Sequence, residues 1–335
     1  MLVRNRNQNI HLWKTPKRYS KLVCSTRCLL LCFSSISYST LNCLRFHYPK
    51  KTISYFTDVI EQAIKLRESD EDASERVDFL QLMLNAHDVY DEYVKNKEDE
   101  EDADDKGENG EEYIKDDMSS SVNSCKRLSK DEIIAQSIVF LVAGYGSIHA
   151  AMSLVCYNLA TNPETQEKLQ REIDEVMCNY DAVGFEAVSK MTYLDMVISE
   201  TFRIFPPHRR LIRECNQDIN INGINIPKGM TVVVSPYVIH HDPDNYPDPE
   251  KFIPERFTKE EKEKRHPYAW IPFGAGPRNC IGMRFALIEA KIGLVRVLQK
   301  FTFEPCAETE NPPVFGNQVM VSPPNGIKLR VKSRE

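Results

Sequence analysis

Apolar residues recur at helical spacing in the first half of the chain. They predict one helix over about Ile53–Arg67 and a second, short helix over Val77–Asn85. Ser129, with Glu132 three residues later and an apolar run behind it, has the pattern of a capping box. We therefore expect a long helix from this point to roughly Ala160.

Three further helices are predicted in the second half. Asn162 as the cap residue, followed by Pro163 at the first helical position, is a typical helix start, and this helix should run to about residue 179. Another spans roughly Tyr193–Phe205, where two prolines end it, and a last helix spans about Met283–Gln299.

Short strands are predicted between these helices. Asp218–Ile226 is typical of a hairpin that turns at Asn222-Gly223, and Met230–Ser235 follows as an extended segment. Residues 240–271 are rich in proline and charge and are expected to be irregular, and weak strand patterns close the chain. The predicted fold class is therefore mainly α with a minor β sheet, an α+β chain.

The negative charge is concentrated in one segment. Residues 95–117 contain 12 acidic residues and 4 lysines, whereas the whole chain has a net charge of only −6. We expect residues 94–127 to form a disordered acidic loop, because such a composition cannot bury a core. Lysine and arginine are scattered elsewhere, which argues against a nucleic-acid partner. Residues 1–40 have no usable periodicity and stay unassigned.

The strongest chemical signal is the loop Phe273–Gly282, in which Cys280 lies just before a predicted helix. Backbone N–H groups at a helix N-terminus stabilise negative charge and favour a thiolate. Arg278 adds a cation suited to a carboxylate. Glycines that allow a flat ligand to approach the backbone stand at three positions, Gly274, Gly276 and Gly282. A dinucleotide-binding loop is rejected, because the third glycine of that motif and a βαβ unit are missing.

Two more glycines interrupt the long apolar helix, at Gly144 and Gly146. Each costs roughly 1 kcal/mol relative to alanine in a helix interior. Close helix packing and the approach of a flat ligand explain them equally well from the residues alone.

Three motifs in this order resemble the cytochrome P-450 family of heme-thiolate monooxygenases. The loop Phe273–Gly282 matches the family's heme-binding signature at every fixed position. Glu200-Thr201-Phe202-Arg203 matches its Glu-x-x-Arg motif, and Pro254-Glu255-Arg256-Phe257 matches its Pro-Glu-Arg-Phe segment. The resemblance covers about residues 41–330 and is most similar to the branch of microsomal drug-metabolising enzymes and thromboxane synthase. It implies a cytochrome P-450-like fold, with residues 41–335 as a partial heme domain, the C-terminal heme-binding portion.

The resemblance also implies a role for individual residues. Cys280 would be the axial ligand of the iron of heme b, and Arg213 would hold a propionate. Residues of the loop that would bind the cofactor with it are Phe273, Gly274, Gly276, Arg278 and Gly282. Glu200, Arg203 and Arg256 would form a buried salt-bridge network behind the proximal face, and His240-His241 would be structural rather than metal-binding.

The segment that carries the family's catalytic residues departs from the pattern. The family has Ala-Gly-x-Asp/Glu-Thr, whereas this chain has Ala143-Gly144-Tyr145-Gly146-Ser147. Ala143, Gly144, Gly146 and Ser147 are therefore the catalytic candidates. Gly146 supplies no titratable group for proton delivery, although Ser147 keeps a hydroxyl. We expect oxygen activation to be impaired or uncoupled.

The implied function is insertion of one oxygen atom of O2 into a small lipophilic substrate. Electrons would come from NADPH through a reductase, at the cytosolic face of the endoplasmic reticulum membrane, with membrane association expected in full-length relatives. Residues 1–40 do not resemble the family's N-terminal portion with its membrane anchor, so we expect a truncated chain. Two alternatives are a heme-thiolate isomerase acting on a lipid peroxide, which needs no external electrons, and an inactive truncated fragment.

Overall fold

The computed structural model of the 335-residue chain describes residues 50–69, 78–85, 128–316 and 321–334. The unassigned residues 1–40 and the expected acidic loop at 94–127 lie outside the described residues. The chain divides into two units, with a boundary between Ala143 and Gly144 inside one helix.

The unit that ends at Ala143 is helical in its described part. Helix α1 spans Lys50–Glu68, residues 79–85 are helical, and helix α2 begins at Lys130. The predicted capping box is present, because the Ser129 N–H donates to Glu132 Oε2 (2.9 Å) and the Glu132 N–H donates to Ser129 Oγ (3.3 Å). Buried residues of this unit form one apolar cluster, which includes Ile53, Ile60, Ile64, Ile133, Ile134 and Ile138.

Helix α2 spans Lys130–Thr161 and is the longest helix among the described residues. Within those residues it is also the one helix whose length and composition would allow it to cross a membrane. An apolar helix in a protein core has the same composition, so this property alone assigns no membrane span.

The unit that begins at Gly144 contains the end of α2 and most of the remaining helices. They are α3 (Pro163–Met177), α4 (Phe185–Ser189), α5 (Thr192–Ile204), α6 (Pro236–His240), α7 (Lys259–Glu263) and α8 (Met283–Leu298). Pro163 begins α3 as predicted. The side chain of Asn162 makes no capping bond, since its Nδ2 donates to the Asn158 carbonyl (2.8 Å) instead.

Among the described residues of this unit there are also three separate two-stranded antiparallel sheets. They pair β1 (Leu211–Glu214) with β4 (Thr231–Val234), β2 (Ile219–Ile221) with β3 (Ile224–Ile226), and β5 (Phe301–Pro305) with β6 (Leu329–Ser333). Asn222 and Gly223 turn the predicted hairpin with φ angles of 51° and 83°, the left-handed conformation that such a turn requires. The fold class predicted from the sequence, mainly α with minor β, is confirmed.

The segment 240–271 is less irregular than predicted. Besides α7 it contains two 3-10 helices, Pro254–Phe257 and Pro267–Ala269. Both begin with proline, whose fixed φ is suited to the first position of a helix. Proline content alone did not distinguish these short helices from loop.

The core of this unit lies where α2, α3, α5 and α8 meet. Its buried members include Leu159, Leu169, Leu194, Ile198, Leu294 and Val295. Helices α2 and α8 approach each other closely, because a Cβ added at Gly293 would lie 2.8 Å from the terminal methyl group of Met152. The missing side chain at Gly293 thus leaves room for Met152 against α8, the helix that follows the loop Phe273–Gly282.

Candidate functional site

Cys280 lies at the end of a loop that is closed by its own backbone. The Cys280 N–H donates to the Phe273 carbonyl (2.9 Å), and the Asn279 N–H donates to the Gly276 carbonyl (3.1 Å). Helix α8 starts three residues later, at Met283. The cysteine is exposed and not bonded to another cysteine. The loop therefore holds a free thiol at an accessible position close to a helix N-terminus.

Gly274 and Gly276 have a backbone conformation that favours glycine. Their φ angles are 75° and 80°, in the left-handed region. At Gly276 no described atom other than those of its chain neighbours lies within 4 Å of the place that a Cβ would take, so the conformation rather than crowding explains the glycine. Gly282, the N-cap of α8, has an ordinary φ of −87°, and this angle does not require glycine.

Two arginines belong to this region. Arg213 is exposed on strand β1, and its Nη2 donates to the carbonyl of Arg278 in the loop (3.4 Å). Its Nη1 donates to the Ile212 carbonyl (2.9 Å). The structure thus brings together Arg213 and Arg278, which are 65 residues apart in the sequence.

Glu200 and Arg203 form a fully buried ion pair on helix α5. Both side chains are 0% exposed, and Arg203 donates to Glu200 from Nε (2.7 Å) and Nη2 (2.9 Å). Arg203 also donates to the carbonyls of His240 (3.0 Å) and Lys251 (3.1 Å). The paired charges are therefore compensated by several hydrogen bonds, as buried charges require.

Arg256 joins this pair from the 3-10 helix Pro254–Phe257. Its Nε lies 3.4 Å from Glu200 Oε1, and its Nη2 donates to the Asp248 carbonyl (2.9 Å). Burial lowers the pKa of Arg256, and the Glu200 carboxylate opposes that shift. The backbone N–H of Ile253 also donates to Glu200 (2.9 Å). Glu200, Arg203 and Arg256, here called the ion cluster, thus form one buried group.

Aromatic residues and one histidine connect α5 with the Cys280 loop. The ring of Phe202 meets that of Phe273 edge to face, with centroids 5.6 Å apart, and Trp270 Nε1 donates to the Ser199 carbonyl (3.2 Å). The N–H of Ile271 donates to Nε2 of the buried His240 (2.9 Å). Sequence reasoning missed Trp270 and the contact of His240. The position of Trp270, three residues before Phe273, was the one local feature of the sequence that could have indicated an aromatic contact at the loop.

The segment Gly144–Ser147 is regular helix within α2. Ser147 Oγ donates to the Gly144 carbonyl (3.3 Å), a common bond of serine inside a helix. Apart from its chain neighbours and the backbone of its own helix turns, no described atom lies within 4 Å of the place that a Cβ would take at Gly144. Close packing against other described residues therefore does not account for that glycine. Tyr145 is 81% exposed. The segment therefore combines two glycines with an exposed tyrosine and one serine hydroxyl.

Comparison with known proteins identifies the class. The sequence pattern of the cytochrome P-450 family matches residues 85–331, so the chain belongs to that family, as its motifs predicted. Cytochrome P-450 3A16 of Mus musculus is 42% identical over 298 residues, 89% of this chain and 53% of the relative. Cytochrome P-450 3A7 of Homo sapiens is 43% identical over 290 residues, 86% of this chain and 51% of the relative.

A third relative has the same relationship to the chain. Cytochrome P-450 3A2 of Rattus norvegicus is 42% identical over 307 residues, 92% of this chain and 55% of the relative. The chain therefore spans about half the length of the curated relatives that it matches.

Proposed function

We propose that the chain carries the heme-binding part of a monooxygenase that inserts one oxygen atom of O2 into a small lipophilic substrate. The observation that supports this most strongly is the Cys280 loop, which is closed on itself and presents an exposed thiol just before α8. The family membership makes this loop, among those described, the natural place for the cofactor.

The residues present are suited to heme b. Cys280 supplies sulfur for the iron, and the guanidinium groups of Arg213 and Arg278 suit the two carboxylates of the cofactor. Gly274 and Gly276 keep side chains away from the loop surface that a flat ring would cover, and Phe273 and Gly282 complete the binding segment. Heme bound through a thiolate supplies an iron centre at which dioxygen can be activated and its O–O bond cleaved.

On the Cys280 side of the cofactor, the role of the protein is to hold the thiolate in place. Backbone N–H groups at the start of α8 stabilise negative charge near Cys280. The ion cluster supports α5, and α5 contacts the loop through Phe202 and Phe273. A site held by buried contacts loses little order when its ligand binds, which favours binding.

Proton delivery is the weaker part of the proposed site. Gly146 provides no titratable group, and the Ser147 hydroxyl donates to the Gly144 carbonyl. For Ser147 to pass a proton outward, its hydroxyl has to turn away from that carbonyl, since a hydroxyl has one proton to donate. We therefore propose that oxygen consumption and product formation are poorly coupled in this chain.

The electrons in this proposal come from NADPH through a separate reductase. We further propose the cytosolic face of the endoplasmic reticulum membrane as the location, because the motifs resemble those of the microsomal branch. Membrane association is expected for the full-length relatives, and no nucleic acid is expected as a partner.

One observation favours a second candidate, a heme-thiolate isomerase that acts on a lipid peroxide. Such a reaction needs neither external electrons nor a proton relay, so glycine at position 146 is compatible with it. The comparisons do not favour this candidate, since the relatives named above are 3A-type cytochromes P-450.

The experiment is turnover of a fluorogenic aryl alkyl ether by the heme-reconstituted chain with a cytochrome P-450 reductase. The proposal predicts product that requires NADPH and O2 and disappears in Cys280→Ser. The matched control is Cys178→Ser, which changes an exposed cysteine just after α3. Conversion of a lipid hydroperoxide without NADPH would instead support the isomerase, and absence of both activities would support an inactive chain.

A further inference from the structure

His240, the last residue of α6, lies fully buried between the ion cluster and the Cys280 loop. Its carbonyl accepts a hydrogen bond from Arg203 Nη1 (3.0 Å). Its ring Nε2 lies 2.9 Å from the backbone nitrogen of Ile271. His240 thus contacts the ion cluster through its backbone carbonyl. Through its side chain it contacts Ile271, which lies just before the Cys280 loop.

The partner at Nε2 fixes the state of the imidazole ring. A backbone N–H can only donate, so Nε2 must be the acceptor, and the proton of the neutral ring lies on Nδ1. Burial lowers the pKa of His240 to about 3, which agrees with a neutral ring. The ring acts here as a hydrogen-bond acceptor for the main chain.

Ile271 lies just before the Cys280 loop and is joined to it by a hydrogen bond. Its carbonyl accepts from the Gly274 N–H (3.1 Å), and two residues further on the Phe273 carbonyl accepts from the Cys280 N–H (2.9 Å). The bond to His240 therefore holds the N–H of the same residue whose carbonyl closes the turn at Gly274.

The second nitrogen of the ring gives independent support. Nδ1 is buried and has no hydrogen-bond partner among the residues that the structure describes. An unsatisfied buried donor is destabilising, so an apolar side chain of similar size would be the better choice if His240 only filled space. Retaining the histidine is explained if its Nε2 acceptor is needed.

We propose that His240 is a positioning residue for the Cys280 thiolate, acting through the N–H of Ile271. This inference rests on the proposed function, since it assigns His240 a purpose at that same site. His240 is not a catalytic residue in this account, because its described bonds are to backbone groups and none is to Cys280.

Two substitutions of His240 distinguish a positioning role from a role in filling space. The amide of glutamine reaches the place of the imidazole Nε2, whereas that of asparagine reaches only the place of Nδ1. His240→Gln should therefore keep the acceptor for Ile271, and His240→Asn should lose it while remaining equally polar. The control is His241→Leu, which changes the adjacent, partly exposed histidine whose ring contacts the Tyr237 carbonyl.

The first readout is amide hydrogen exchange over residues 271–280 in the full chain without heme. His240→Asn should speed this exchange by roughly two- to ten-fold, the effect of one lost hydrogen bond. His240→Gln and His241→Leu should stay close to the parent chain. Equal exchange in the Asn and Gln variants would overturn the inference.

The second readout is the share of the reduced, heme-reconstituted protein that shows the red-shifted carbon monoxide band of thiolate ligation. We expect a smaller share in His240→Asn and the parent share in His240→Gln. A band that is present in the parent and unchanged in His240→Asn overturns this inference alone. No such band in the parent chain overturns the proposed function, whatever the exchange rates show.

Discussion

The Cys280 loop and the segment Gly144–Ser147 differ in the number of residues on which their structure and proposed function depend. The loop matches its family signature at each fixed position, is closed by backbone hydrogen bonds and is supported by a buried ion cluster. The helical segment depends on one or two side chains, and there the family's acid is replaced by Gly146. The positioning of the Cys280 loop is therefore shared among many contacts, whereas proton delivery in the helical segment depends on one side chain and can be lost in a single step.

The largest expected effect concerns the buried support of the loop. Glu200→Gln should lower the free energy of unfolding by about 3–5 kcal/mol, because it leaves Arg203 buried without a full counter-charge. Chemical denaturation measures this loss. The matched control is Glu261→Gln, which breaks an exposed pair with Lys264 and should leave the stability almost unchanged. Equal losses in the two variants would show that the ion cluster gives no special support.

A second effect is a loss of stability at acid pH that depends on His240. Burial lowers its pKa from the ordinary value of 6.5 to about 3, so between these values the unfolded chain binds a proton that the folded chain does not. Stability from this residue is complete above pH 6.5 and falls as the pH decreases, by about 1.4 kcal/mol per pH unit.

The measurement is the free energy of unfolding of the chain and of His240→Gln at several pH values between about 4 and 6.5. The variant should show a shallower dependence on pH, although burial also lowers the pKa of His208 and His241, which remain in both proteins. Two parallel curves would contradict a buried, neutral His240.

The smallest expected effect in free energy concerns the helical segment. Gly146→Glu restores a titratable group beside Ser147 and should raise the ratio of oxygenated product to released hydrogen peroxide several-fold. Coupling is measured from NADPH consumed, product formed and peroxide released. Gly146→Gln, which has similar bulk but no acid, is the control. An unchanged ratio in Gly146→Glu would mean that the missing acid does not limit proton delivery.

Local signals in the sequence predicted much of the fold. Ser129 and Glu132 marked the start of α2, and Asn222-Gly223 marked a hairpin, because each structure is determined by residues a few positions apart. Asn162 was predicted as a cap but donates to the Asn158 carbonyl instead. Asn162 does precede the first residue of the helix as predicted, but its side chain makes a competing local hydrogen bond instead of a capping bond.

The interior of the site was harder to predict, because its contacts join distant residues. A Glu and an Arg three positions apart are usually an exposed pair, and only the order of three motifs indicated that Glu200 and Arg203 are buried. His240 contacts Arg203 and Ile271, which are 37 and 31 residues away. No periodicity or spacing in the chain carries that information.

The most direct test of the central claim is a carbon monoxide difference spectrum of the reduced, heme-reconstituted chain beside Cys280→Ala. We predict a red-shifted Soret band that disappears in Cys280→Ala and persists in the exposed-cysteine control Cys178→Ala. No band in the parent chain, or the same band in Cys280→Ala, would contradict the assignment of Cys280 as the ligand of the heme iron.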